Sequence, residues 1–319
     1  MKHFRIALLL MAMLVLTGCM ASPPDTLIRE NKGDTPLLSA DTHQQNPDIL
    51  SAALYFRYGA SPYLAPEQRQ IQVERNESSE KALVKALIAG PSATQSALSP
   101  LFPPETEVIS VTTQGDTLFI TFNEALLSRY PDEPKDLTGD EWRIEAPLRR
   151  QLCMDALTAT LTEAGMCTRI QVLVYRENVK TTSMRLHAGY LTCTDDDALL
   201  TFLGRREEHL LTPHNAAKML LEAWLSRDWE TLYGLASAQG RPSGQEAYQA
   251  FDAARALTGF SLEAGTVSAD GQRAVVTARM YLQGEGMDTE LAGYPILLIR
   301  EGGLWKMDYA RLDAMMNQD

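Results

Sequence analysis

One stretch decides the fold of the first half of the chain: Val108-Ile109-Ser110-Val111-Thr112-Thr113-Gln114-Gly115-Asp116-Thr117-Leu118-Phe119-Ile120-Thr121-Phe122. Apolar positions flank Gln114-Gly115-Asp116 on both sides, a pattern typical of a β-hairpin. The second strand, Thr117–Phe122, is almost continuously apolar. Strands of this kind have both faces covered, so we expect it to lie in the centre of a sheet.

Upstream of this hairpin, the sequence predicts two strands and a helix. The first strand is the aromatic segment Ala53–Tyr58, and the second is short and lies around Ile71 and Val73. We expect a helix over Glu77–Ala89, with Asn76 as its N-cap and Gly90-Pro91 as its stop.

Downstream of the hairpin, a longer helix is predicted from Glu141 to Ala164, with its apolar residues close to one stripe. Pro147 is tolerated only in a first turn, so the regular helix is expected to begin near Ala146. Alternating apolar residues then predict strands at Ile170–Val174 and Met184–Tyr190. The order β-β-α-β-β-α-β-β predicts an α+β domain made of two similar halves.

The last third has a different order, with helices first and strands second. Thr212-Pro213 is a helix start signal, and an amphipathic helix is expected to follow it. Later helices precede four predicted strands: Phe260–Thr266, Ala274–Leu282, Thr289–Arg300 and Leu304–Tyr309. A second α+β domain with a meandering antiparallel sheet is therefore predicted.

The N-terminus is typical of a bacterial lipoprotein precursor. Lys2 and Arg5 precede the apolar run from Ile6 to Leu16, which is too short to span a bilayer. The run ends in Leu16-Thr17-Gly18-Cys19, which resembles a lipobox. This resemblance implies cleavage between Gly18 and Cys19 and attachment of a diacylglycerol to the Cys19 thiol. The alternative is an ordinary secretory signal with an incidental cysteine, and the spacing of the three regions favours the lipoprotein.

We divide the chain into five segments: signal peptide (1–18), lipidated N-terminus and flexible tether (19–49), first domain (50–193), connector (194–211) and second domain (212–319). Because each domain has its own amphipathic elements, the connector is expected to be exposed. Limited proteolysis should then release two fragments.

Charge excludes one class of partner. The chain has 29 basic and 41 acidic residues, and removal of Lys2 and Arg5 with the signal leaves a net charge of −14. An acidic chain is a poor ligand for phosphate backbones, so no nucleic-acid partner is expected. Membrane attachment is expected to come from the lipid and to place the protein outside the cytoplasm.

The cysteines and acidic clusters give weak signals for metal. Besides Cys19 the chain contains Cys153, Cys167 and Cys193, and one disulfide with a free thiol or three buried thiols are both compatible with this number. A zinc site would add His187, but close Cys-x2–4-Cys spacing is missing. The triplet Asp195–Asp197 does not have the glycine and distal glutamate of a calcium loop. We therefore predict no metal and no cofactor.

Six motifs spread through residues 53–191 resemble the GerMN domain, named from a lipoprotein of spore formation and germination: Leu54–Tyr58, Arg75–Ser78, Ala86–Pro91, Leu101–Pro104, Gly115–Asn123 and Val172–Tyr175. The resemblance implies two similar lobes of β-α-β-β type and a role in extracytoplasmic assemblies. It brings no catalytic residues.

Residues 212–319 resemble the NTF2-like cone, in which helices are wrapped by a curved antiparallel sheet, although in pattern only. Some members of that superfamily are enzymes with an acidic residue and a tyrosine inside the cone. Asp252, Tyr281 and Asp308 are the residues that would fill those roles. Core or rim positions are the simpler interpretation of all three.

Two functions from different classes follow. The first is a non-catalytic envelope lipoprotein that binds other proteins, as a homo- or hetero-oligomer, in sporulation or germination. The second is a surface enzyme or small-ligand carrier that uses the C-terminal cone. Triad signatures and phosphate loops are missing from the sequence, so the first is favoured. It predicts that single alanine substitutions at Asp116, Asn123, Asp155 and His187 leave function near wild type.

Overall fold

The computed structural model describes residues 48–135, 139–176, 183–284 and 288–318. The predicted signal peptide, the lipobox residues Gly18 and Cys19, and nearly all of the predicted tether lie outside these ranges. The described part mixes helices with three sheets, which confirms the predicted α+β class. Among the described residues, none of the helices combines the length and the apolar character needed to cross a bilayer.

The first sheet has three strands in the order β2-β1-β3: β1 is Asp48–Tyr58, β2 is Leu64–Val73 and β3 is Leu98–Ser99. β1 pairs antiparallel with both neighbours. Helix α1, Ser79–Ile88, buries Leu83 and Leu87 and contacts β1 and β2. Its N-cap is Ser78, whose side chain accepts from the Lys81 N–H, and not Asn76 as predicted. Ser78 is the better cap because its hydroxyl lies three residues before a free helical N–H.

The second sheet contains β4 (Val108–Gln114), β5 (Thr117–Phe122), β6 (Arg169–Val174) and β7 (Met184–Arg185) in that order, and β8 (Leu203–Gly204) also pairs with β6. A 3₁₀ helix at Glu124–Leu127 follows β5. β5 lies between β4 and β6, so its central position is confirmed. Its pairing with β6 is parallel, because helix α2 crosses between the two strands. The other strand pairs of this sheet are antiparallel, as predicted for strands of the two lobes.

Helix α2 spans Asp140–Glu163 and is buried between the two sheets. It contacts β1 of the first sheet and β6 of the second, which is why Leu152–Leu161 is buried on every side and does not form a single stripe. The helix begins well before Ala146, and Pro147 lies inside it. The carbonyl that Pro147 leaves without a donor belongs to Arg143, which is exposed, so solvent can satisfy it. The predicted strand at Met184–Tyr190 ends at Arg185, and a short helix α3, Gly189–Thr192, follows.

The second half begins with three helices: α4 (Pro213–Ser226), α5 (Trp229–Leu235) and α6 (Gly244–Ala253). Thr212 caps α4 and Pro213 is its first residue, as predicted. Five antiparallel strands follow: β9 (Leu257–Leu262), β10 (Thr266–Val267), β11 (Arg273–Leu282), β12 (Thr289–Glu301) and β13 (Leu304–Met307). Helix α7, Tyr309–Met316, ends the described chain and replaces the end of the last predicted strand.

The two halves share one apolar core. Residues Pro47–Asp319 form one compact unit, and a single cluster of buried residues runs through both halves. Most connector side chains are exposed, but Leu210 and Leu211 are buried. The Leu64 N–H donates to the His209 carbonyl (2.7 Å), and the Leu211 N–H donates to the Leu64 carbonyl (2.8 Å). The end of the connector is therefore fixed to β2, and the separate folding of the two domains stays a prediction.

Candidate functional site

Strand β4 forms one edge of the second sheet. Within the described ranges its one strand partner is β5. The two-residue turn Gly115-Asp116, with Gly115 at φ +62°, sets Gln114 opposite Thr117. In such a hairpin this closing pair exchanges both backbone hydrogen bonds. By alternation, Val111 and Thr113 direct their backbone N–H and C=O groups toward the free edge.

The side chains of β4 do not protect this edge. Val108–Gln114 contains no charged residue and no proline, and five of its seven side chains are exposed, including Ile109 at 42%. Exposed edge strands are usually protected by charge, by proline or by a covering segment. The Lys81 ammonium donates to the Ile109 carbonyl (2.9 Å), at the beginning of the strand only. Ser110–Gln114 is therefore open to pairing with another strand.

Polar residues beside the hairpin hold it in place. Asp116 accepts hydrogen bonds from the hydroxyls of Thr168 (2.7 Å) and Thr117 (3.1 Å), and these bonds lower the pKa of Asp116. Asn123 accepts from the Glu107 N–H (3.0 Å) and donates to the Glu105 carbonyl (2.8 Å). Both residues join neighbouring backbone segments, so the edge is presented by a rigid frame.

The three cysteines outside the lipobox are free thiols. Cys153 is buried, and Cys167 and Cys193 are half-buried. Burial raises the pKa of all three thiols, that of Cys167 to about 11. They are therefore protonated at neutral pH and poor nucleophiles. Among the residues that the structure describes, no three His, Cys, Asp or Glu side chains converge as metal ligands do, so the zinc and calcium alternatives gain no support.

The structure does not bring the three cone candidates into one polar site. Asp308 caps α7, where its Oδ1 accepts from the Arg311 N–H (3.1 Å). Asp252 is exposed, and its Oδ1 lies 3.7 Å from Nη1 of Arg227. Tyr281 is half-buried on β11. Between the helices and the sheet of this half lie buried apolar side chains, which include Trp224, Phe251, Val276, Met280, Leu282 and Ile296.

The sequence of the first half matches a known family. Residues 53–179, which extend from β1 through β6, match the profile of the Germane family, described as sporulation and spore germination. Residues 53–179 form a Germane domain. The GerMN-type resemblance read from the sequence is thereby confirmed. Among curated proteins, no significant match was found.

Three solved structures are similar to parts of the chain. The tandem GerMN domains of the sporulation protein GerM from Bacillus subtilis match with 12% identity and a TM-score of 0.33, over 75% of this chain and 63% of that one. The chain thus spans less than two thirds of that structure. The first GerMN domain of the same protein gives 13% identity and a TM-score of 0.30, over 50% of this chain and 98% of that one. A putative lipoprotein from Clostridium perfringens gives 20% identity and a TM-score of 0.27, over 50% of this chain and 89% of that one. All three TM-scores are below 0.5, so the domain assignment rests on the sequence match.

One network in the Germane domain was not found from the sequence. Asp155 of α2 is buried, and its carboxylate accepts from Nε and Nη2 of Arg206, at 2.8 and 2.5 Å. Nδ1 of His209 lies 2.5 Å from Oδ2 of the same carboxylate. Both partners come from the connector, which the network holds against α2. The sequence signal for this network was an aspartate in α2 whose adjacent residues in the sequence are apolar or small. Such a position indicates burial, and a buried carboxylate requires partners.

Proposed function

We propose that this chain is a non-catalytic, lipid-anchored envelope protein whose Germane domain binds another protein through the free edge of β4. The observation that carries the proposal is an uncharged, proline-free edge strand that, within the part of the chain the structure describes, pairs with another strand on one side only. An extended segment can add to such an edge through backbone hydrogen bonds, with alternate side chains giving specificity. The family description supports a role in an assembly of sporulation or germination.

The anchor is the second part of the proposal. The lipobox places Cys19 about 30 residues before β1 begins at Asp48. A lipid on Cys19 would tether the Germane domain to the membrane and keep the edge of β4 within reach of it. A partner in the same envelope compartment is then the expected ligand.

The packing of the second half supports this function over a ligand-carrying cone. Its interior contains Trp224, Phe251 and Met280, each almost fully buried. A carrier or an enzyme would need a concave site with converging polar groups there. The NTF2-like assignment of this half remains part of the proposal, and its role is to support the Germane domain.

Site-specific photo-crosslinking in the native membrane tests the proposal. A photoreactive residue at Thr112 is expected to trap a discrete protein species, whereas the same probe at the exposed Gln239 of the second half should not. Thr113→Pro removes an N–H that faces the free edge and leaves the hairpin ladder intact. This variant should lose the crosslink from position 112.

The matched control is Thr113→Ala, which keeps the backbone N–H and should retain the crosslink. Equal crosslinking by the proline and alanine variants, with both folded by circular dichroism, would rule out strand addition at β4. If a polar single change such as Asn123→Ala removed all function while the fold and the crosslink remained, a catalytic site would be the better explanation.

A further inference from the structure

A cavity of about 520 Å³ lies at the edge of the second sheet opposite β4. It is bordered by the C-terminal end of β6, by β7, by helix α3 and by the segment that follows β5. Its size falls in the range of small-molecule sites in proteins. Neither the family description nor the proposed function assigns a role to this cavity.

Positive charge is concentrated around the cavity. Four arginines line it, namely Arg129, Arg150, Arg176 and Arg185, together with His187. Two carboxylates, Glu133 and Asp197, are also in the lining. Arg176 also pairs with Glu124 just outside the lining (3.4 Å), so the arginines outnumber the neighbouring carboxylates by one in a chain whose net charge is −12. A local excess of cations in an acidic protein favours an anionic ligand at this place.

The arginines differ in how far their donors are already used. Arg150 is buried and binds both oxygens of Glu133, at 2.9 and 3.0 Å, so its charge is balanced. Arg185 and Arg129 are exposed and each donates one Nη to a backbone carbonyl, that of Leu200 (2.6 Å) and that of Pro134 (3.1 Å). A guanidinium has five N–H donors in a planar fork. Arg129 and Arg185 are thus fixed by the backbone and keep donors for an oxyanion.

The inner wall adds one more donor. The Tyr190 hydroxyl is buried, and it has no hydrogen-bond partner among the described residues. Burial raises the pKa of Tyr190, so the group stays protonated. A buried hydroxyl without a partner costs free energy that a ligand acceptor would recover. Apolar side chains complete the lining: Leu127, Val174, Met184 and Leu186.

We propose that this cavity binds a small amphipathic anion, with a carboxylate or phosphate group held by Arg129, Arg185 and the Tyr190 hydroxyl. A short apolar part of the ligand lies against Val174 and Met184. Guanidinium donors match the geometry of both oxyanions, and the apolar wall provides a surface for the apolar part of the ligand. The site lies across the sheet from β4, so it is independent of strand addition there.

Binding can be measured by NMR titration of the unit Pro47–Asp319, which contains the whole buried core. The probes are sodium hexanoate and inorganic phosphate, with hexan-1-ol and hexylammonium as the uncharged and cationic controls. Saturable shifts are expected at the amides of Val174, His187 and Cys193 with an anion. Tighter binding of hexanoate assigns a carboxylate ligand, and tighter binding of phosphate assigns a phosphate ligand.

Arg185→Gln should weaken binding of the preferred anion about tenfold or more, because a charge-assisted hydrogen bond is lost. Arg311→Gln, at an exposed position of α7, is the matched control and should bind as wild type does. Tyr190→Phe keeps the ring and should also weaken binding about tenfold. Failure of both anions to saturate, equal affinity for hexan-1-ol, or unchanged binding by Arg185→Gln would overturn the proposal. Arg185 is exposed, so its variant remains a valid test if Tyr190→Phe fails to fold.

Discussion

Arg57 in β1 donates to both carboxylate oxygens of Glu145 in α2, over distances of 2.5 Å to Oε1 and 3.1 Å to Oε2. Arg57 is almost fully buried, and its other donors bind the carbonyls of Ser61 (2.8 Å) and Ala60 (2.6 Å). The pair therefore ties the first strand to the long helix, across a separation of 88 residues in the chain.

Glu145→Ala should lower the free energy of unfolding by about 2 kcal/mol or more, because it leaves the buried Arg57 charge without its partner. Glu141→Ala, one turn earlier on the exposed face of α2, should change it by less than about 0.5 kcal/mol. Urea unfolding monitored by circular dichroism measures both values. Similar losses for the two variants would contradict the structural role of the pair.

Because two buried or half-buried glutamates have lowered pKa values, the folded protein is expected to lose stability in acid. Burial alone would raise the pKa of Glu145, but hydrogen bonds from Arg57 and Arg149 outweigh it and hold the pKa below 4.5. Arg69 and Ser92 do the same for Glu67. The unfolded chain therefore takes up protons first as the pH falls. The stabilisation is fully present above about pH 4.5 and is lost as the pH falls through the lowered values. Urea midpoints from about pH 7 to about pH 3 should fall less steeply in Glu145→Gln than in wild type.

Asp155→Ala should release the connector from α2. Without its carboxylate, Arg206 and His209 lose the group that holds them, and local opening should increase about tenfold or more. Trypsin should then cut faster after Arg205 and Arg206. Asp195→Ala is the control, since Asp195 is exposed in the same connector. Faster cleavage in the control as well would mean that the network does not restrain this segment. Asp155 is predicted to be dispensable for function, whereas its contacts with Arg206 and His209 predict a contribution to stability.

The turn between β12 and β13 offers a paired test of the contact between the two halves. Gly302 and Gly303 both have positive φ, at +61° and +87°. A Cβ on Gly303 would lie 2.9 Å from the Pro66 carbonyl oxygen in β2, whereas a Cβ on Gly302 would meet nothing. Gly303→Ala should therefore cost about 1–2 kcal/mol more than Gly302→Ala in thermal unfolding. Equal losses of stability in the two variants would mean that the strain comes from the backbone of the turn and not from the contact with Pro66.

The proposed lipid anchor is tested by Cys19→Ala. Incorporation of a radiolabelled fatty acid should disappear, because the proposed diacylglycerol is attached through this thiol. Cys193→Ala should incorporate label as wild type does. Label that persists in the Cys19 variant would show that the lipobox interpretation is wrong.

Elements with strong local signals were predictable from the sequence. The apolar run of β5 indicated a central strand, since both of its faces are covered, and Thr212-Pro213 marked the start of α4. The segment Met184–Tyr190 was misread as one strand. Gly189 approaches the Thr194 backbone so closely that a Cβ would lie 2.2 Å from the carbonyl oxygen, a tertiary contact that alternation cannot reveal.

The arginine-lined cavity was not predictable for a similar reason. Arg129, Arg150, Arg185 and Tyr190 lie in four separate segments of the chain, and each reads as an ordinary surface or helix residue in its own context. Only the parallel placement of β5 and β6, with α2 crossing between them, brings these segments together. The β4 edge was foreseeable only in general terms, because pairing of β5 with β6 decides which strand is left at the edge.

Parallel pairing of β5 and β6 also sets an order in time. The β4–β5 hairpin is local and can form as soon as Phe122 has left the ribosome or the translocon, whereas β6 follows only after the whole of α2. During that interval the second edge of β5 is open, and its buried residues Leu118 and Ile120 face solvent. Nascent chains that end between Phe122 and Val174 are therefore expected to be the most prone to aggregate, and to depend most on chaperones that cover exposed strands.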